Sequence, residues 1–220
     1  SHAGTAATVA LSQMAQELGA AAVMVTPTKE PAPATDDTLH ELYARVARGC
    51  PGLPIVLQDH PASTQVHMSP KLVARIAHEI SEIACIKLEA LPTPARIAQL
   101  RALWSSELPR ANPSCTILTG LGALYGGFDM EQGTEGFMTG FAFPEILKAM
   151  NAAAQRRDWA AAHALYAKYL PLIVFEQQPG VAVRKELYRL RGLIECAHVR
   201  HPAITSVSPV LAKALAEQIG

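Results

Sequence analysis

Lys87 and Glu89 stand two residues apart in an otherwise apolar run, Ile83-Ala84-Cys85-Ile86-Lys87-Leu88-Glu89. The run reads as a buried strand, and alternate strand residues share a face. Lys87 and Glu89 therefore point one way, Ile86 and Leu88 the other. An unpaired ammonium is costly to bury, so such a lysine is paired, neutral or functional. Two chemistries fit. A neutral amine attacks a ketone and forms an imine, an electron sink for bond cleavage, bond formation or loss of water nearby. Alternatively, Lys87 and Glu89 form a structural ion pair at the strand end. Glu89 also reads as a general base or substrate ligand once the amine has become an imine.

A second polar cluster ends the preceding apolar run, "LPIVLQDHP" at 53–61. Gln58 and His60 share one parity and Asp59 has the other. Gln58 is a candidate hydrogen-bond partner for a substrate, and His60 titrates near neutrality and can move protons. If Gln58 faces the ligand, Asp59 faces a helix layer, where it would cap a turn. Thr119 and Gly120 close one later apolar run and Thr139 lies within the next, and all three are further candidate ligand contacts. "TGLGALYGG" at 119–127 is glycine-rich but is neither GxxxxGK[ST] nor GxGxxG, so it is a weak phosphate-loop signal. His198 and His201 in "HVRH" lack supporting carboxylates or cysteines and read as surface residues. No metal or organic cofactor is expected.

Short β-like runs alternate with helical patterns and would carry these residues. The runs are "AAAVMVTP" (20–27), "LPIVLQD" (53–59), "IACIKLE" (83–89), "CTILTG" (115–120) and a weaker "EGFMTGF" (135–141). Between them, "ATVALSQMAQEL" closes at Gly19, Thr35 or Asp36 opens a helix ending at Gly49, and Ser69-Pro70 and Thr93-Pro94 each read as N-cap plus first turn. "LGALYGGFDMEQG" is a poorer helix because of its glycines. Strict alternation implies a parallel sheet and an α/β fold. From residue 144 the rhythm changes to four helical segments without a strand, so 1–143 and 144–220 read as an α/β part and a helical part.

Composition agrees with a well-buried globular chain: 220 residues, 50% hydrophobic, 17% charged. Formal net charge is zero, which offers no broad field for nucleic acid or anionic membranes. The pairs Arg156-Arg157 and Arg184-Lys185 read as solvated helix faces. Cys50, Cys85, Cys115 and Cys196 are widely spaced and form no CxxC, as expected of free thiols in a reducing compartment. No apolar run has membrane-spanning length, and "SHAGTAATVALSQ" lacks a basic signal-peptide start; a cytoplasmic location is the expectation.

Several stretches carry a family resemblance: "AGTAATVALSQMAQELGAAAVMVTP", "LPIVLQDHPASTQVHMSPKLVARIA", "IACIKLEA", "ILTGLGA" and "EGFMTGFAFPEILK". Together they resemble the dihydrodipicolinate synthase and N-acetylneuraminate lyase family. The resemblance implies a (β/α)8 barrel with a C-terminal helical extension. The five strands would be strands four to eight of that barrel, which is then incomplete in this chain, with 1–143 as partial barrel and 144–220 as last barrel helix and extension. It implies a Schiff-base lyase of aldolase type, with Lys87 as the imine lysine and pyruvate or a 2-oxo sugar acid as substrate. Members assemble as dimers or tetramers. The chain also departs from the family pattern. Gln58 stands where relatives have a proton-relaying tyrosine, Thr28 and Lys29 where many have another tyrosine, and Ser63 where the synthase has a carboxylate-binding arginine. These departures favour a divergent subgroup and give dehydration added weight. The alternative is a catalytically inactive paralogue or interaction subunit that completes its sheet with a partner chain.

Overall fold

The computed structural model describes residues 4–28, 34–177, 180–200 and 207–219. Lys29 and His201 lie outside the described residues. The chain divides into two compact units: residues up to Thr119 with Phe128–Met138, and Gly120–Gly127 with the residues from Thr139 on.

The first unit holds a five-stranded parallel sheet in sequential order, β1 (Val23–Val25), β2 (Ile55–Asp59), β3 (Ile83–Leu88), β4 (Thr116–Thr119) and β5 (Gly136–Phe137). Helices α1 (Thr5–Glu17), α2 (Asp36–Gly49), the short α3 (Pro61–Thr64), α4 (Pro70–Glu79) and α5 (Thr93–Ser106) alternate with the strands. Parallel neighbours need such crossovers, which is why the alternation was readable. Ile55, Leu57, Ile83, Ile86, Leu88 and Ile117 pack in one cluster with Leu39, Tyr43, Leu72, Ile76, Ile97 and Leu100 of the helices. Tyr43 is fully buried and donates its hydroxyl to the Val25 carbonyl, tying α2 to β1.

The helix starts follow local chemistry. Thr35 and Thr38 form a reciprocal capping box at α2, and Ser69 accepts the Leu72 N–H with Pro70 in the first turn of α4. Gly19 follows α1 at φ 82°, the left-handed geometry that glycine permits. Thr93 departs from expectation. It does not cap α5; its hydroxyl instead donates to Asp129 at 2.7 Å.

Between β2 and β3 the register slips by one residue: Ile55 pairs with Ile83, but Val56 pairs with Cys85. Ile83 and Ile86 thereby both face the helices despite being three apart. β5 is shorter than the predicted 135–141, although the Glu135 and Met138 N–H groups continue its bonding to Ile117 and Thr119.

The second unit is helical in its later part: α7 (Pro144–Gln155), α8 (Trp159–Phe175), α9 (Val181–Leu190) and α10 (Pro209–Ile219). A 3₁₀ turn (Leu121–Ala123) precedes them, and α6 (Gly126–Glu131) begins in this unit and ends in the first. Glu176 is buried, accepts the Ala142 N–H and pairs with Arg184 at 3.0 Å. Arg184 is therefore a buried acid's partner and not part of a solvated face. Burial pushes the Glu176 carboxyl up to about 7, against the pull of the Ala142 N–H and Arg184. Cys50, Cys85 and Cys115 are buried and Cys196 exposed, all as free thiols. No described helix is long and apolar enough to cross a membrane.

Candidate active site

The polar face of β2 and β3 is built by strand parity. Asp59 pairs with Leu88 on the helix-covered side, and Gln58 pairs with Lys87 on the other. β3 ends at Leu88, but Glu89 still donates its N–H to the Asp59 carbonyl at 2.9 Å, so its side chain keeps the parity of Lys87.

Three side chains converge on one carboxylate oxygen. Glu89 Oε2 lies 3.4 Å from Lys87 Nζ. It accepts a hydrogen bond from Gln58 Nε2 at 2.7 Å. His60 Nδ1 is 4.0 Å away. The Lys87 and Glu89 side chains are only 15% and 7% exposed. Their attraction is therefore weakly screened by solvent. A carboxylate so placed can take the ammonium proton, and later a proton from a bound substrate. His60 is held by Ser63, whose Oγ is 2.8 Å from Nδ1, at the start of the short α3. Ser63 thus supports the imidazole from within α3.

Asp59 faces the helices, as expected, but caps no turn. It is fully buried and pairs with Arg96 of α5 at 3.1 Å. Burial pushes its carboxyl up, and Arg96 opposes that rise. Arg96 also donates to the Met68 carbonyl, tying α5 to the chain that follows His60.

Thr119 ends β4 with its hydroxyl donated to Asp129, which also accepts from Thr93. Asp129 is buried, which pushes its carboxyl up. Sequence reading missed Asp129 and Arg96 as partners of these strand ends. Their separations of 10 and 37 residues leave no local signal. Gly120 and Thr139 belong to the second unit. There the Thr139 hydroxyl accepts the Gly122 N–H at 2.6 Å, and Gly122 sits at φ 64°. His198 offers its backbone carbonyl to Lys185. Among the described residues no group of three metal-ligating side chains occurs.

Residues 2–218 match the dihydrodipicolinate synthetase family. The chain belongs to this family. A dihydrodipicolinate synthase of Rhodopseudomonas palustris aligns with a TM-score of 0.86 at 30% identity, over 99% of this chain and 71% of its own. The α/β fold with its parallel sheet matches that structure. L-2-keto-3-deoxyarabonate dehydratase of Azospirillum brasilense is 34% identical over 216 residues, 92% of this chain and 64% of the dehydratase. 4-Hydroxy-tetrahydrodipicolinate synthase of Acidobacterium capsulatum is 30% identical over 192 residues, 83% of this chain and 58% of that protein. The chain thus spans less than two thirds of the length of both curated relatives.

Proposed function

We propose that this chain carries the imine-forming half of a class I lyase, with Lys87 as the nucleophile toward a 2-oxo acid. The observation that carries this reading is the Lys87–Glu89 pair, 3.4 Å apart and largely shielded at the C-terminal end of a parallel strand. Strand C-terminal ends are where barrel enzymes assemble their catalytic groups. The five sequential strands are read as strands four to eight of a (β/α)8 barrel, and 144–220 as the last barrel helix and C-terminal extension.

Glu89 accepts the ammonium proton, and the free amine adds to the substrate C2 carbonyl. Glu89 returns that proton to the carbinolamine hydroxyl, which leaves as water and gives the iminium. Glu89, again a carboxylate, then removes a C3 proton to leave an enamine and passes that proton to the C4 hydroxyl, which departs as water. In the aldol direction, the C3–C4 bond breaks instead and its electrons form the enamine. Gln58 replaces a phenol with an amide, which cannot donate and recover a proton. His60 takes that titrating role. The dehydratase relative supports dehydration of a 2-oxo-3-deoxy sugar acid over condensation. Thr119, Gly120 and Thr139 are proposed substrate contacts on the family resemblance, and a homodimer or tetramer as the assembly.

The test is reductive trapping. The protein is incubated with pyruvate or a 2-oxo-3-deoxy pentonate plus borohydride, digested and weighed. A mass increment on the Lys87 peptide is expected. A folded protein that gives no adduct on that peptide ends the reading.

A further inference from the structure

We propose that Gln58 is a positioning residue, which keeps the Glu89 carboxylate aimed at Lys87 and favours the ionised form in which it acts as a base. The inference rests on the imine reading above and assigns Gln58 a task beyond contact with substrate.

Three observations carry it. Gln58 and Lys87 are register partners, so backbone pairing fixes the amide beside the lysine. Its Nε2 reaches Glu89 Oε2 at 2.7 Å, shorter than the Lys87 contact at 3.4 Å and the His60 approach at 4.0 Å. Finally, Thr26 of the neighbouring chain segment donates to the Gln58 carbonyl at 3.3 Å, which steadies the backbone that carries the amide.

The charged and titratable groups around Glu89 include Lys87 on its own strand and Asp59 and His60 at the end of β2, with Arg96 of α5 beyond Asp59. Each works differently from Gln58. Lys87 changes its bonding when it becomes an imine. His60, at 4.0 Å, is too far for a direct hydrogen bond. Asp59 repels. An amide does not titrate and donates equally well at every step. A hydrogen bond to the charged form of an acid favours that form, so Gln58 keeps Glu89 available as a base. The Gln58 carbonyl oxygen needs no proton for this role.

The experiment uses the full chain with glutamate carboxyls labelled by ¹³C, the Glu89 signal being assigned by its loss in Glu89→Gln. Gln58→Met keeps length and removes the donor. Its Glu89 signal is expected to titrate at a pH higher by roughly one unit, as loss of a hydrogen bond to a charged group implies. Gln58→Glu should move it further in the same direction and serves if the methionine variant does not fold. With substrate, Gln58→Met should lower kcat by about ten- to a hundredfold with little change in KM, and shift the acid limb of the pH profile upward, while the Lys87 adduct still forms. An unmoved carboxyl titration overturns the inference, as does a raised KM with unchanged kcat. Absence of the wild-type adduct overturns the imine reading instead, and the carboxyl titration still tests the Gln58–Glu89 link.

Discussion

Lys87 Nζ lies 3.4 Å from Glu89 Oε2, two residues along the chain, just past the end of β3 and on the same face. Such a pair serves either as a static salt bridge or as a proton donor and acceptor within one site. The two roles separate experimentally.

Glu89→Gln retains size and hydrogen-bonding capacity but cannot accept a proton. If Glu89 is the base, borohydride still traps an adduct on Lys87 while turnover drops by about a hundredfold or more. Turnover within about threefold of wild type, at an equal adduct yield, would return Glu89 to a purely ionic role.

His60 stands 4.0 Å from the same oxygen and is held by Ser63. His60→Ala should lower turnover by about a hundredfold, with external imidazole restoring part of it. Unchanged steady-state rates would remove His60 from the chemistry.

Arg96→Leu tests the buried support beneath the site. It leaves Asp59 without its ionic partner in a fully buried position. Removing one member of a buried pair costs about 3–5 kcal/mol. Urea unfolding at pH 7.5 should report that loss. Burial already pushes the Asp59 carboxyl up, and removing Arg96 pushes it further. The deficit relative to wild type should therefore shrink as pH falls and Asp59 takes up a proton. A deficit that does not change with pH would contradict the assignment.

Glu176 makes stability depend on pH in the opposite direction to a salt-bridged surface acid. Its carboxyl is raised from 4.5 to about 7, so between those values the folded chain holds a proton that the unfolded chain has released. Stability from this group is greatest below about pH 4.5, declines as pH rises through the window, and levels off above about 7, for a total on the order of 3 kcal/mol. Denaturation midpoints measured across that range should fall with rising pH in the wild type and less steeply in Glu176→Gln. Parallel profiles would show that Glu176 titrates normally.

Sequence alone carried the parts of the molecule governed by local rules. Ser69 with Pro70, Thr35 and Gly19 mark helix ends because capping and left-handed turns involve neighbouring residues. Strand parity put Lys87 and Glu89 on a common face, because alternation needs no knowledge of the fold, whereas the pairing of Gln58 with Lys87 depends on the register between two strands. Thr93 looked like a cap by the same local rule, yet a buried acid 36 residues away takes its hydroxyl. The Asp59–Arg96 pair and the Thr119–Asp129 bond were hidden for the same reason. They exist only once the chain has brought distant segments together. The fifth strand was overextended because Met138 and Phe141 carry the apolar pattern on past Phe137, where strand geometry ends.

The one-residue slip between Ile55 and Val56 against β3 divides that strand into a tolerant half and an intolerant half. Upstream of the slip, Ala84 is the spare residue, and its deletion would straighten the ladder while Gln58 and Lys87 stay partnered. Downstream there is no slack. Loss of Ile86, with the upstream pairing kept, would turn the lysine toward the helix-packed core opposite Leu57 and set Leu88 against the amide. Length variation that spares the chemistry is confined to the first turn of pleat, ahead of Cys85.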